Sequence, residues 1–104
     1  MAFHCEDKDG TIHVTIDGKL SIYEAPTLRD QIQQCFRKPE DLILDLGGVT
    51  ECDIAGVQFL VSVRATAQML GKTLAVLSAS EPITAIMERS GLDPSVLFET
   101  LKED

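Results

Sequence analysis

The sequence predicts an α/β domain with a mixed sheet of four or five strands and three to four helices. An alternating strand pattern stands near the N-terminus, two unbroken apolar runs stand further along, and amphipathic helical segments separate them. The central strand–helix–strand succession reads as a βαβ unit with a right-handed crossover.

Ile12, Val14 and Ile16 alternate with His13, Thr15 and Asp17, the period of a strand with one buried face. Asp17-Gly18 interrupts that period before Lys19-Leu20-Ser21-Ile22. A shorter strand around residues 2–6 is expected to pair with it through the turn Asp7-Lys8-Asp9-Gly10. A helix follows from residue 23 or 24 to 37, with Leu28, Ile32, Cys35 and Phe36 on one stripe. Pro26 is tolerated there because the first turn has no intrahelical use for its N–H. Arg37 and Lys38 suit the negative end of the helix dipole, and Pro39 stops the helix.

Leu42, Ile43, Leu44 and Leu46, interrupted by Asp45, form one apolar run; Leu74, Ala75, Val76 and Leu77 form the other. Runs of this kind fit strands of a parallel sheet covered on both faces. Between them a helix is expected over residues 54–70, with Phe59, Leu60, Val63, Ala67 and Leu70 inward and Gly71 as its C-terminal cap. A last helix is expected over residues 81–90, from the Ser80-Glu81-Pro82 start to the Gly91 stop, burying Ile83, Ile86 and Met87. Leu92, Val96, Leu97, Phe98 and Leu101 form a final apolar segment expected to fold back onto the domain.

Composition narrows the class of function. A chain of 104 residues with 44% apolar and 25% charged residues can bury one core unaided, so residues 1–104 read as one domain. The N-terminus lacks the basic start and apolar stretch of a signal peptide, and no apolar run approaches the roughly 18 residues of a membrane span. Cys5, Cys35 and Cys52 are odd in number and form no CxxC pair, which suits a reducing compartment. A cytoplasmic location is therefore expected. The net charge of −8 argues against nucleic acid and bare membrane as partners and favours a partner with a basic docking surface. His4 and His13 stand alone, so no metal or cofactor is expected.

The informative stretch runs Leu44-Asp45-Leu46-Gly47-Gly48-Val49-Thr50-Glu51-Cys52-Asp53-Ile54-Ala55-Gly56-Val57. Asp53 suits an N-cap: its carboxylate can accept from Ala55 or Gly56, and it meets the positive end of the dipole. Gly56 costs about 1 kcal/mol of helix propensity against alanine. Its presence implies that something packs closely on the helix start.

The pattern apolar-Asp-Leu-x-x-Val, then Asp-x-x-Gly-apolar at a helix head, resembles the STAS domain of anti-sigma factor antagonists. Gly18-Lys19-Leu20 with Ala25-Pro26-x-Leu28, Gly71-Lys72-Thr73-Leu74 and Ser90-Gly91-Leu92-Asp93 extend the likeness over most of residues 12–98. The resemblance implies a non-catalytic module that binds a GHKL-type kinase or anti-sigma factor through the start of the helix at 54–70. It places Ser21, Asp53, Ile54, Ala55, Gly56, Val57, Gln58 and Val61 at the partner-binding surface. Relatives carry a serine or threonine phosphoacceptor where this chain has Ala55, and an acidic residue where it has Ser21. Alanine cannot accept phosphate. Either the module is permanently binding-competent, or the hydroxyl has moved to Thr50, Ser62 or Ser21. Ser62 lies two turns into the helix, where a phosphate gains nothing from the dipole.

Rival readings rest on single features. Cys52 beside Asp53 could be a nucleophile, since a helix N-terminus lowers thiol pKa, but a small half-buried loop residue is the simpler account. No serine stands at Asp53-Ile54-Ala55 for an acyl carrier, and the acidic cluster and lysine of a phosphoreceiver are missing around Asp45. Two other settings within the family remain open: a STAS subunit that binds the ATPase of an ABC lipid transporter, and a chemotaxis or two-component regulator. The sequence leaves the oligomeric state open.

Overall fold

The computed structural model describes residues 2–93. Val96, Leu97, Phe98 and Leu101 of the expected final segment lie outside them, while Leu92 lies within. Seven elements follow in order: β1 (Ala2–Lys8), β2 (Thr11–Leu20), α1 (Ala25–Phe36), β3 (Asp41–Cys52), α2 (Ile54–Met69), β4 (Leu74–Leu77) and α3 (Glu81–Arg89). The sheet order is β1-β2-β3-β4, antiparallel between β1 and β2 and parallel thereafter. The sheet thus has four strands, at the lower end of the expected range, and three helices accompany it.

The β1–β2 hairpin closes through Asp9 and Gly10, whose φ values of 54° and 82° suit a two-residue turn of the right twist. Lys8 pairs with Thr11 across it, so β1 runs two residues further than its apolar pattern indicated. In β2, Ile12, Val14, Ile16 and Leu20 are buried while residues between them are not. The register against β3 shifts between Thr15 and Asp17 and again between Gly18 and Lys19. These irregularities return Leu20 to the core face after the break at Asp17-Gly18.

The expectation that the parallel strands are covered on both faces is not met. Leu42, Leu44, Leu46 and Val49 of β3 are buried, whereas Ile43 and Asp45 are half-buried and Gly47 exposed. In β4, Leu74 and Val76 are buried and Leu77 is exposed. The buried residues of all three helices join these strand residues in one core cluster. Burial therefore alternates even where the sequence is uniformly apolar. β3 also continues past its apolar run through Gly47-Gly48 to Cys52, because β2 pairs with it that far.

The helices bury the stripes that their spacing indicates. Leu28, Ile32, Cys35 and Phe36 of α1 are buried, as are Phe59, Leu60, Val63 and Ala67 of α2. Leu70 is the exception: it is the C-cap of α2 and points outward. In α3, Ile83 and Met87 are buried, and Ile86 is half-buried against the core.

Gly71 ends α2. Its φ is +70°, its N–H donates to the Gln68 carbonyl at 3.1 Å, and the Lys72 N–H donates to the Ala67 carbonyl at 2.9 Å. This is the double hydrogen-bonded Schellman arrangement, and Gly91 and Leu92 repeat it after α3. The Lys72 ammonium then donates to the carbonyls of Lys38 and Glu40, tying the approach to β4 to the approach to β3.

A Cβ at Gly71 meets no atom within 4 Å. Its replacement therefore tests backbone conformation without a packing change. Gly71→Ala is expected to lower unfolding free energy by about 1 kcal/mol, read as a fall in the urea midpoint at unchanged m-value.

Candidate functional site

The site grows from the junction of β3 and α2. Asp53 leaves the sheet in extended conformation, with φ −108° and ψ −177°, and becomes the N-cap of α2. The Gly56 N–H donates to its Oδ1 at 2.9 Å, satisfying one of the orphan donors of the first turn. Its Oδ2 does separate work: it accepts from the Ile22 N–H at 3.1 Å. The Asp53 N–H donates to the Leu20 carbonyl at 3.3 Å. One carboxylate thus joins the head of α2 to the turn between β2 and α1.

That turn is held by Ser21. Its carbonyl accepts from the Glu24 and Ala25 N–H groups at 3.1 and 3.0 Å. Its N–H donates to Glu24 Oε1 at 3.1 Å, its hydroxyl donates to the same oxygen, and its Oγ accepts from the Tyr23 N–H at 3.2 Å. Glu24 reaching back to the Ser21 N–H is one half of a capping box, carried by the spacing Ser21-x-x-Glu24 and set one turn ahead of α1. The hydroxyl at position 21 is thereby engaged within its own turn.

Gly56 has the close neighbour that its presence implied. A Cβ there would collide with the Leu20 carbonyl oxygen and lie 2.9 Å from Cys52 Sγ. The glycine lets the first turn of α2 rest against the end of β2.

Side chains around this junction divide sharply. Ile54 is 44% exposed and Val61 38%, while Ile22 is 60% and Tyr23 88% exposed on the neighbouring turn. Gln58 is exposed, Asp53 and Ala55 are half-buried, and Gly56 and Val57 are buried. Of the surface residues expected from the sequence, Gly56 and Val57 therefore lie beneath the surface and shape it. Ile54, Val57, Val61 and Ala65 line an open cavity of about 350 Å³, to which Leu92 contributes from beyond α3. Ile22 and Tyr23 stand beside this surface although no periodicity or motif of the sequence points to them. The nearest signal is Ser21-x-x-Glu24, a turn that keeps its two middle side chains out of the helix.

Thr50 is exposed on β3, and Ser62 is exposed on α2 with its hydroxyl donating to the Phe59 carbonyl at 2.8 Å. Cys52 is half-buried, and its thiol donates to the Asp53 carbonyl at 3.4 Å. Burial, and then the negative charge of Asp53, push this thiol up to about 11, against the pull of the helix N-terminus. A thiol held this high is largely protonated at neutral pH. Among the described residues no three His, Cys, Asp or Glu side chains cluster so as to hold a metal ion. Nor is any described helix long and apolar enough to cross a membrane.

A family model described as "Mlab, STAS domain" matches residues 3–99. The chain belongs to the STAS domain family. Solved structures of the same fold include the unphosphorylated anti-sigma factor antagonist SpoIIAA, with 20% identity, TM-score 0.70, and coverage of 89% of this chain and 84% of that one. An anti-sigma factor antagonist from Mycobacterium paratuberculosis matches with 19% identity and TM-score 0.77, over 94% and 82% of the two chains. A sulfate transporter family protein from Wolinella succinogenes matches with 19% identity and TM-score 0.66, over 86% and 73%. At these identities the likeness shows the fold.

Two outcomes are expected. Gly56→Ala overpacks the junction and lowers stability by about 1–3 kcal/mol in urea unfolding, despite alanine's better helix propensity. Cys52 carries on the order of a hundredfold less thiolate at pH 8 than an ordinary cysteine, so its alkylation by iodoacetamide is correspondingly slow and accelerates as pH rises toward 11.

Proposed function

We propose that this STAS domain is a protein-docking module, with no chemistry of its own, whose contact surface is the first turns of α2 together with the Ile22–Tyr23 turn. The observation that carries this reading is the exposed apolar group at Ile54 and Val61 beside Ile22 and Tyr23, held in place by the two hydrogen bonds of Asp53. Exposed apolar side chains at a rigid helix head are suited to burial by another polypeptide. The partner class we infer is a GHKL-type kinase or anti-sigma factor with a basic docking surface, which the net charge of −8 would attract.

Docking here is constitutive with respect to position 55. A phosphate at the head of α2 would be held by free N–H groups and would add up to about two negative charges to the docking face. Ala55 has no hydroxyl to carry one, and Ile54 and Gly56 have none either. Regulation then rests with the partner. A second reading is a subunit that binds a transporter ATPase, which needs no phosphate switch. Ala55, which leaves the head of α2 without a phosphoacceptor, is what supports it.

Ile54→Asp tests the surface. Ile54 is exposed and lies in the first helical turn, where a carboxylate favours the dipole, so the fold is expected to persist with unchanged circular dichroism. Capture of the partner from an extract of the native cell, with and without ATP, is expected to fall on the order of tenfold or more. Undiminished capture would move the docking surface elsewhere. Phosphate found by mass spectrometry on Thr50, Ser62 or Ser21 would overturn the constitutive reading.

A further inference from the structure

We propose that Cys5 and Cys35 are a modification site: a thiol pair that a peroxide converts to an intramolecular disulfide stapling β1 to α1. The fold brings together two cysteines 30 residues apart in the chain, with their sulfurs 3.0 Å from one another. Cys5 is on β1, on the side of the hairpin that packs against the core, and Cys35 is in the last turn of α1. Bond formation therefore asks for a small side-chain approach and no rearrangement of the backbone elements.

Access and order of reaction follow from the surroundings. Both sulfurs border an open cavity of about 280 Å³, lined also by Phe3, Gln31, Gln34 and Lys38. Gln31, one of the lining residues, has a buried Oε1 without a hydrogen-bond partner among the described residues. Cys5 is half-buried and is the thiol a small oxidant reaches. Cys35 is 3% exposed; burial first, then the hydrogen bond to Cys5 and its proximity, push it up to about 12, with Lys38 opposing. Cys35 is accordingly the second thiol to react.

In the first step Cys5 attacks one peroxide oxygen, the O–O bond breaks, and a sulfenic acid and one water form when the peroxide is hydrogen peroxide. In the second, Cys35 sulfur attacks the Cys5 sulfur, the S–O bond breaks, and hydroxide leaves with the thiol proton as water. Two thiols and one hydrogen peroxide give one disulfide and two waters. A dithiol reductant reverses the change. Cys52 takes no part, because its thiol is turned to the Asp53 carbonyl.

The test uses the full chain, reduced, freed of reductant, and treated with one equivalent of hydrogen peroxide; the peroxide is then removed, and the chain is alkylated in denaturant, so that every remaining thiol reacts, and digested. The expected product has lost two hydrogens, carries one alkylated thiol at Cys52, and yields a Cys5–Cys35 linked peptide. The bridged chain is expected to melt on the order of 10 °C above the reduced one. Cys52→Ser is expected to form the same bridge, and Cys5→Ser and Cys35→Ser to form none. Oxidation in urea should lose the selectivity, because the unfolded chain closes the shorter Cys35–Cys52 loop more readily. Three alkylatable thiols after peroxide, a bridge to Cys52 in the folded chain, bridging between two chains, or a bridged form that melts no higher would each overturn the assignment. The linked peptide from the unmutated chain decides the matter even if a variant fails to fold.

Discussion

The carboxylate of Asp53 is the constraint on which the candidate site depends. One oxygen completes the first turn of α2, and the other holds the backbone of Ile22, 31 residues away in the chain. A helix cap alone would need only the first bond. The second converts two separate loops into one rigid surface. Gly56 makes this geometry attainable, since any side chain there would meet the carbonyl of Leu20. The same short region thus contains a cap, a cross-link and a close backbone approach, each requiring a particular residue type.

This arrangement explains why apolar side chains stand exposed at the head of α2. Buried Val57 anchors the turn from beneath while Ile54 and Val61 remain on the surface. A flexible loop bearing the same residues would have to be ordered upon contact, at a cost in conformational entropy. Here the two hydrogen bonds of Asp53 hold the Ile22 turn against the head of α2. Ala55 leaves this position of the helix head without a hydroxyl to carry a phosphate.

Elsewhere the domain relies on ordinary means. One buried sheet face collects the stripes of three helices into a single core. Glycine-based caps end α2 and α3, and Lys72 bridges the connections that lead into β3 and β4. The hairpin strand β1 is the least embedded of the core elements, with Phe3 and Cys5 only half-buried against the rest. A covalent link from Cys5 to Cys35 would act where the packing is thinnest.

Much of this could be read from the residues in order. The 3.6-residue stripes of α1 and, Leu70 apart, of α2, the glycine stops and the Asp53 cap are local features, governed by contacts within a few residues, and they stand where the sequence placed them; the hairpin turn is tighter than its four-residue signal, at Asp9 and Gly10 alone. Three features are not local and were decided only by the tertiary structure. Ile43 and Leu77 stay partly uncovered because helices pack on one sheet face, which an apolar run alone cannot reveal. Ile22 and Tyr23 reach the site because Asp53 draws a distant turn to α2, a partner that no spacing rule can name. Cys5 meets Cys35 because the antiparallel hairpin and the crossover helix converge on it; in the sequence they are simply two cysteines far apart. Local periodicity dictates the elements, whereas the pairing of side chains across long loops is set by how those elements share one core.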